Sequence, residues 1–168
     1  MSSYFQALNI SSDSTASVAS SLQTSLASVT QLYLNVRGFH WNVQGPEFFE
    51  LHHSLEELYN YLDTVRDELA ERISTLGVVP LHDMESYLSH SQVAPQKNIS
   101  SGAKVCAAVV QGLGEFTATV LAAHQKSEAC GDLGSANLLE DYVTKSQKYM
   151  WLFDKYNENP GKSGDVLS

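Results

Sequence analysis

Cysteine is scarce in this chain. Cys106 and Cys130 are the only two among 168 residues. Both fall within one helical pattern, roughly 36 Å apart along its axis, too far to pair within the chain. A disulfide scaffold is excluded, and the two read as small apolar residues in a reducing compartment. Basic residues are also few: ten Lys and Arg stand against nineteen Asp and Glu, for a net charge of −9. None lies in residues 1–36, and the first lysine is Lys97. There is no basic N-terminal arm, which argues against a dedicated nucleic-acid binder and suits a protein that attracts cations. No apolar run approaches the ~20 residues of a membrane span. No charged and then apolar leader opens the chain, so the cytoplasm is the expected location. A phosphate-cradling glycine loop, a paired CxxC and a nucleophile elbow are all missing, so nothing supports acyl or phosphoryl transfer.

Helical periodicity fills the space these absences leave. The length suits one domain, 1–168, with loose ends expected over 1–12 and 161–168. A first pattern runs from about Ser14 to Trp41, capped by Asp13 or Ser14, with Val18, Leu22, Leu26, Val29, Leu32 and Val36 on its apolar face. Gly45-Pro46 breaks it. The second helix is expected to start at Pro46 and stop at Gly77. A long connection over 77–100 has room for a short helix near Asp83–Leu88. A third pattern, capped by Ser100 or Ser101, reaches about Ala129 through Val105, Val109, Leu113, Phe116 and Val120. Gly112 and Gly114 within it suggest close packing or a kink. The fourth carries Leu138, Tyr142, Tyr149, Leu152, Phe153 and Tyr156 and ends at Asn159-Pro160-Gly161. Strand signals are weak throughout. Two short links and one long crossover fit an all-α, ferritin-like four-helix bundle with a short helix in the crossover between its second and third helices.

The second helix carries the chemistry. Its apolar stripe is Phe48, Leu51, Leu55, Leu58, Leu62, Val65, Leu69, Ile73 and Leu76. A second stripe beside it holds His52, Glu56, Asp63, Asp67 and Glu71 within an arc of about 100°. Imidazole and carboxylate together suit a hard or borderline divalent metal such as Fe(II) or Mn(II). His52 and Glu71 lie roughly 28 Å apart along the axis, so no single metal reaches both ends. The stripe therefore splits into two half-sites, His52/Glu56 and Asp67/Glu71, each spaced i, i+4. An antiparallel two-fold partner crossing near Tyr61 and Leu62 would place each half-site opposite the other, making two equal sites. A solvated charged face is the alternative. It leaves unexplained the pair His52-His53 and the nearby His40-Trp41.

Quoted as they stand, His40-Trp41-Asn42, Gly45, Phe48, Leu51-His52, Leu62-Asp63, Asp67 and Ala70-Glu71-Arg72 resemble the signature of the Dps mini-ferritins, the DNA-binding proteins from starved cells. Trp151 also resembles a tryptophan common in that family. The resemblance spans the chain in helix order and is most specific between residues 39 and 77. It implies a homo-oligomeric shell of twelve subunits with a ferroxidase centre at each two-fold interface, and iron as the metal handled. Residue by residue, His40 and His52 match the family's two histidines, and Asp67 and Glu71 match the acidic pair given by the facing subunit. Glu56 stands where the family usually has Asp, one methylene shorter. Trp41 in the resemblance sits near the metals and could intercept oxidising equivalents; otherwise it is a core aromatic at a helix end.

Glu50 and His53 form one Glu-x-x-His pair. Two such pairs build the intrasubunit di-iron centre of ordinary ferritins, so a surface or supporting role is expected for His53. His82, His90 and His124 are expected to be solvent or capping histidines. The resemblance places an acidic iron-entry pore near the turn between the third and fourth helices, where Asp132 and Asp141 lie and Asn137 replaces an Asp of some relatives; helix-capping carboxylates are the alternative. Some relatives bind DNA through Lys-rich tails. Here only Lys155 and Lys162 lie near the end of the sequence, so DNA binding is expected to be weak or absent.

Overall fold

The computed structural model of the chain describes residues 10–157. The expected loose ends and the Asn159-Pro160-Gly161 stop fall outside them, except for residues 10–12. There the expectation fails: Ser11 is the N-cap, its side chain accepting from the Ser14 amide at 3.2 Å. Its hydroxyl satisfies an amide that has no partner inside the helix.

Helix α1 spans Ser12–Asn42, α2 Phe48–Thr75, α3 Met84–His90, α4 Gly102–Ala129 and α5 Leu133–Asn157. Among the described residues no strand forms, only one isolated parallel bridge between Gln44 and Ser101. Helices α1 and α2 pack as one hairpin, α4 and α5 as another, and α1 lies against α4. This is the ferritin-like four-helix bundle, with α3 in the long crossover and packed on α1.

The apolar stripes become the core. Every residue of the expected faces of α1 and α4 is buried, and α2 buries all of its stripe except half-buried Phe48. In α5 the pattern is less faithful. Tyr142 and Phe153 are buried, but Leu152 faces outward. Helix α4 also revises the reading of apolar runs: by length and composition it is apolar enough to cross a membrane. The Thr, Gln and Glu that interrupt it are too few to lower its average. Half of that stretch is buried inside the bundle, where α1 and α5 use its apolar side chains as core.

Two glycines set the geometry. Gly77 follows α2 with φ +80, a left-handed conformation that L side chains resist. At Gly112 a Cβ would stand 2.7 Å from the Leu32 side chain, so α1 and α4 approach closely there. Gly114 has open space around it. Helix α2 begins two residues later than expected, with Pro46 in the preceding turn and Glu47 as the N-cap.

The crossover is held by polar side chains of α1. The Gln23 side chain donates to Val79 O at 2.8 Å and accepts from the Leu81 amide at 2.8 Å. Ser28 Oγ accepts from the Gln92 amide, and Asn35 donates to Ala94 O while accepting from the Gln96 amide. A chain that crosses the bundle without regular structure needs such partners for its backbone groups. Asp83 caps α3 through the Ser86 amide, a bond that holds its carboxyl below the usual range.

Candidate metal centre

His40 sits in the last turn of α1 and His52 near the start of α2, twelve residues apart across the Gly45-Pro46 turn. The turn is fixed by the Gln44 amide donating to Ser100 O at 2.9 Å. The two imidazoles stack with centroids 3.7 Å apart and an interplanar angle of 22°. Each Nδ1 faces the other residue's backbone carbonyl: His40 Nδ1 to His52 O at 2.8 Å, and His52 Nδ1 to His40 O at 2.9 Å. A carbonyl only accepts, so each Nδ1 carries the proton. In the neutral ring that leaves Nε2 with its lone pair free. A backbone carbonyl on one ring nitrogen is the usual way a metal-binding histidine is oriented.

Phe48 packs against His52 with centroids 5.1 Å apart, and Tyr59 meets His40 edge-on at 5.2 Å. Glu56 lies one turn beyond His52, half-buried, and its Oε1 accepts from the Tyr59 hydroxyl at 3.2 Å. Burial, followed by the Glu56 charge, pushes the Tyr59 phenol above its ordinary value. The Arg37 guanidinium lies over the Tyr59 ring at 4.6 Å and over Trp41 at 5.6 Å, and donates to Tyr33 Oη at 2.6 Å. Trp41 itself is 66% exposed, so it is not a core aromatic.

Asp67 and Glu71 are exposed on the distal half of α2 and do not join the histidines. Asp67 lines an open concavity of about 430 Å³ together with Asp63, Arg66 and Tyr87. Asp63 is engaged by Arg66 at 2.7 Å. Among the described residues, no three His, Cys, Asp or Glu side chains converge as a metal site within one chain. The remaining histidines are otherwise occupied. His53 is exposed and 3.4 Å from Glu57; His82 and His90 bond to Pro80 O and Ser86 O; His124 lies between Glu128 and Glu140.

Asp132 is engaged within the chain. It is buried, pairs with Arg72 at 2.5 Å, and caps α5 through the Ser135 amide at 3.1 Å. Asp141 and Asn137 are exposed. Reading the sequence alone missed Tyr59 and Arg37. Tyr59 was detectable in principle: three residues after Glu56, it shares that residue's helix face.

The bundle connectivity and the paired histidines define a ferritin-like protein, and a ferritin-like domain matches residues 19–160. A protein of Haemophilus influenzae described as uncharacterized is 34% identical, over 82% of this chain and 86% of its own length. The DNA protection during starvation protein of Porphyromonas gingivalis is 30% identical, over 84% of this chain and 89% of its own. The crystal structure of Dps from Vibrio cholerae O1, described as a member of a broad superfamily of ferritin-like diiron-carboxylate proteins, superposes with a TM-score of 0.85. It is 33% identical and covers 88% of this chain and 92% of that one. The chain belongs to the Dps family.

Proposed function

We propose that this protein is an iron-storing cage that oxidises Fe(II) with hydrogen peroxide or dioxygen at sites shared between subunits and keeps the ferric product inside. The observation that carries the reading is the His40–His52 clamp, which leaves the Nε2 of each ring unprotonated where, among the described residues, no three ligand-type side chains of one chain converge. The missing carboxylates are Asp67 and Glu71 of a second copy, brought opposite by a two-fold axis near Tyr61 and Leu62. Both are exposed, and Asp67 lines an open concavity, which supports that docking.

The division of labour follows from ligand chemistry. Neutral imidazoles from His40 and His52 bind Fe(II), the substrate. Glu56, Asp67 and Glu71 stabilise the more highly charged ferric product. Each Fe(II) loses one electron. With peroxide as oxidant, two such electrons break the O–O bond and leave two hydroxides. Removing peroxide and free Fe(II) together protects nucleic acid without contact. The assembly is a homo-oligomer of twelve subunits, and its place is the cytoplasm, where the free Cys106 and Cys130 stay reduced. Burial pushes the Cys106 thiol up to about 12, so it stays protonated and unreactive.

The test is anaerobic Fe(II) addition followed by peroxide, with iron per particle read after size-exclusion chromatography. Many iron atoms co-eluting with a particle near twelve subunits are expected. Iron precipitating apart from the protein would overturn the reading, as would an Asp67→Asn variant that oxidises iron at the wild-type rate.

A further inference from the structure

Tyr59 touches both halves of the ligand set contributed by one chain. Its ring meets His40 edge-on, with centroids 5.2 Å apart and planes at 79°. Its hydroxyl donates to Glu56 Oε1 at 3.2 Å. Side chains on a helix lean toward its N-terminus, so a residue three positions after Glu56 reaches back over it. Arg37 and Tyr33 complete the packing. Arg37 covers the Tyr59 face at 4.6 Å, and Tyr33 stands edge-on at 6.2 Å. Tyr59 is buried, so this is a rigid wedge.

We propose that Tyr59 is a positioning residue of the iron centre: its hydroxyl fixes one oxygen of Glu56, so that the other is presented to a divalent metal beside the His40–His52 pair. The proposal rests on the reading of that pair as an iron site. It also accounts for a glutamate at position 56. The side chain one methylene longer than the usual Asp has an extra torsion to immobilise, and a hydrogen bond to Oε1 removes that freedom. Ligating carboxylates held by such outer hydrogen bonds commonly lose metal affinity when the partner is removed, by about 10–100-fold.

The test is an anaerobic Co(II) titration of the assembled protein, followed by its visible d–d bands and by calorimetry, with thermal midpoints measured alongside. Tyr59→Phe keeps the ring against His40. It is expected to weaken the Glu56-dependent binding step about tenfold, with the other step and the midpoint unchanged. Tyr59→Leu removes the wedge as well and is expected to weaken both steps. Glu56→Asp withdraws the carboxylate from the hydroxyl, so adding Tyr59→Phe on that background is expected to change nothing further. Wild-type affinity in Tyr59→Phe, or an equal loss on both backgrounds, overturns the role of Tyr59 while leaving the metal site standing. A wild-type protein whose Co(II) binding is untouched by His52→Ala overturns the iron-site reading itself, and the Tyr59 role with it.

Discussion

His40 and His52 hold each other by exchanging hydrogen bonds through their backbones, each Nδ1 facing the other's carbonyl at 2.8 and 2.9 Å. The exchange fixes both tautomers together. It also joins the end of α1 to the start of α2, so the ligand pair and the helical turn are one structural unit. His52→Ala should therefore do more than delete one ligand, because it strips the stacked ring from His40, while the carbonyl of residue 52 that accepts from His40 Nδ1 remains. We expect divalent-metal affinity to fall at least about 100-fold, the upper range for losing a partner of a bound metal's ligand. His40→Ala should give nearly the same loss, and the double variant little more. Co(II) titration of the three variants measures this, and additive losses would contradict the clamp.

The Arg72–Asp132 pair should be a stability determinant. The Asp132 side chain is 2% exposed and that of Arg72 20%. Asp132 also binds the Ser135 amide and hydroxyl, and Arg72 Nε donates to Ser135 Oγ at 2.8 Å. Removing one partner of a buried pair leaves a charge without compensation. Asp132→Ala is expected to cost about 3 kcal/mol in urea unfolding followed by circular dichroism. A variant as stable as the wild type would show that water compensates Arg72.

Gly112 predicts a steric effect. A methyl there would stand 2.7 Å from Leu32 Cδ1, below any ordinary contact. Leu32 is itself fully enclosed, so it has little room to yield. Gly112→Ala should destabilise by about 1–3 kcal/mol despite the better helix propensity of alanine. Gly114→Ala, with open space around it, should be neutral or stabilising. Thermal melts of the two variants discriminate between them.

Alkaline pH should weaken the packing of α5. Tyr61, Tyr142 and Tyr149 are all raised above the ordinary phenol value of 10.0, first by burial and then by neighbours, which include Glu68 and Asp141 for Tyr61 and Tyr142 and Glu57 for Tyr149. Tyr142 donates to Glu68 at 2.8 Å. Phenols that ionise more readily unfolded than folded contribute stability fully present below the unfolded value and lost progressively as pH rises from it through the raised folded value. Thermal midpoints are expected to be flat with respect to these phenols between pH 7 and about 9 and to fall beyond about pH 10. Tyr142→Phe should make that fall shallower. An unchanged slope would remove Tyr142 from the account.

DNA binding offers a contrast with function by contact. With a net charge of −9 and no Lys or Arg in residues 1–36, low-salt gel shifts are expected to show weak complexes or none. Tight complexes at low salt would favour a compacting role over protection through iron removal.

The helices were legible because their signal is local. A 3.6-residue repeat names the buried face of α2 from Leu51 to Leu76 whatever it packs against. The polar residues of α1 were not legible in the same way. Gln23, Ser28 and Asn35 look like defects in an apolar face, and only the path of the crossover shows that they hold its backbone. The pairing of Asp132 was hidden for a related reason. Its partner Arg72 is sixty residues away, and no periodicity connects them.

The sequence by itself determined the fold class and, because helix geometry converts spacing into position along an axis, the candidate half-sites His52/Glu56 and Asp67/Glu71; His40 entered through the resemblance to the Dps family. It also determined that one helix is too long for one metal to reach both ends of its stripe. Only the tertiary structure decided that His40 and His52 stack, which nitrogen each leaves free, and that Tyr59 reaches Glu56 while its ring backs His40. The orientation of a side chain depends on the backbone and rings that other elements bring to it, and those neighbours exist only once the chain has folded.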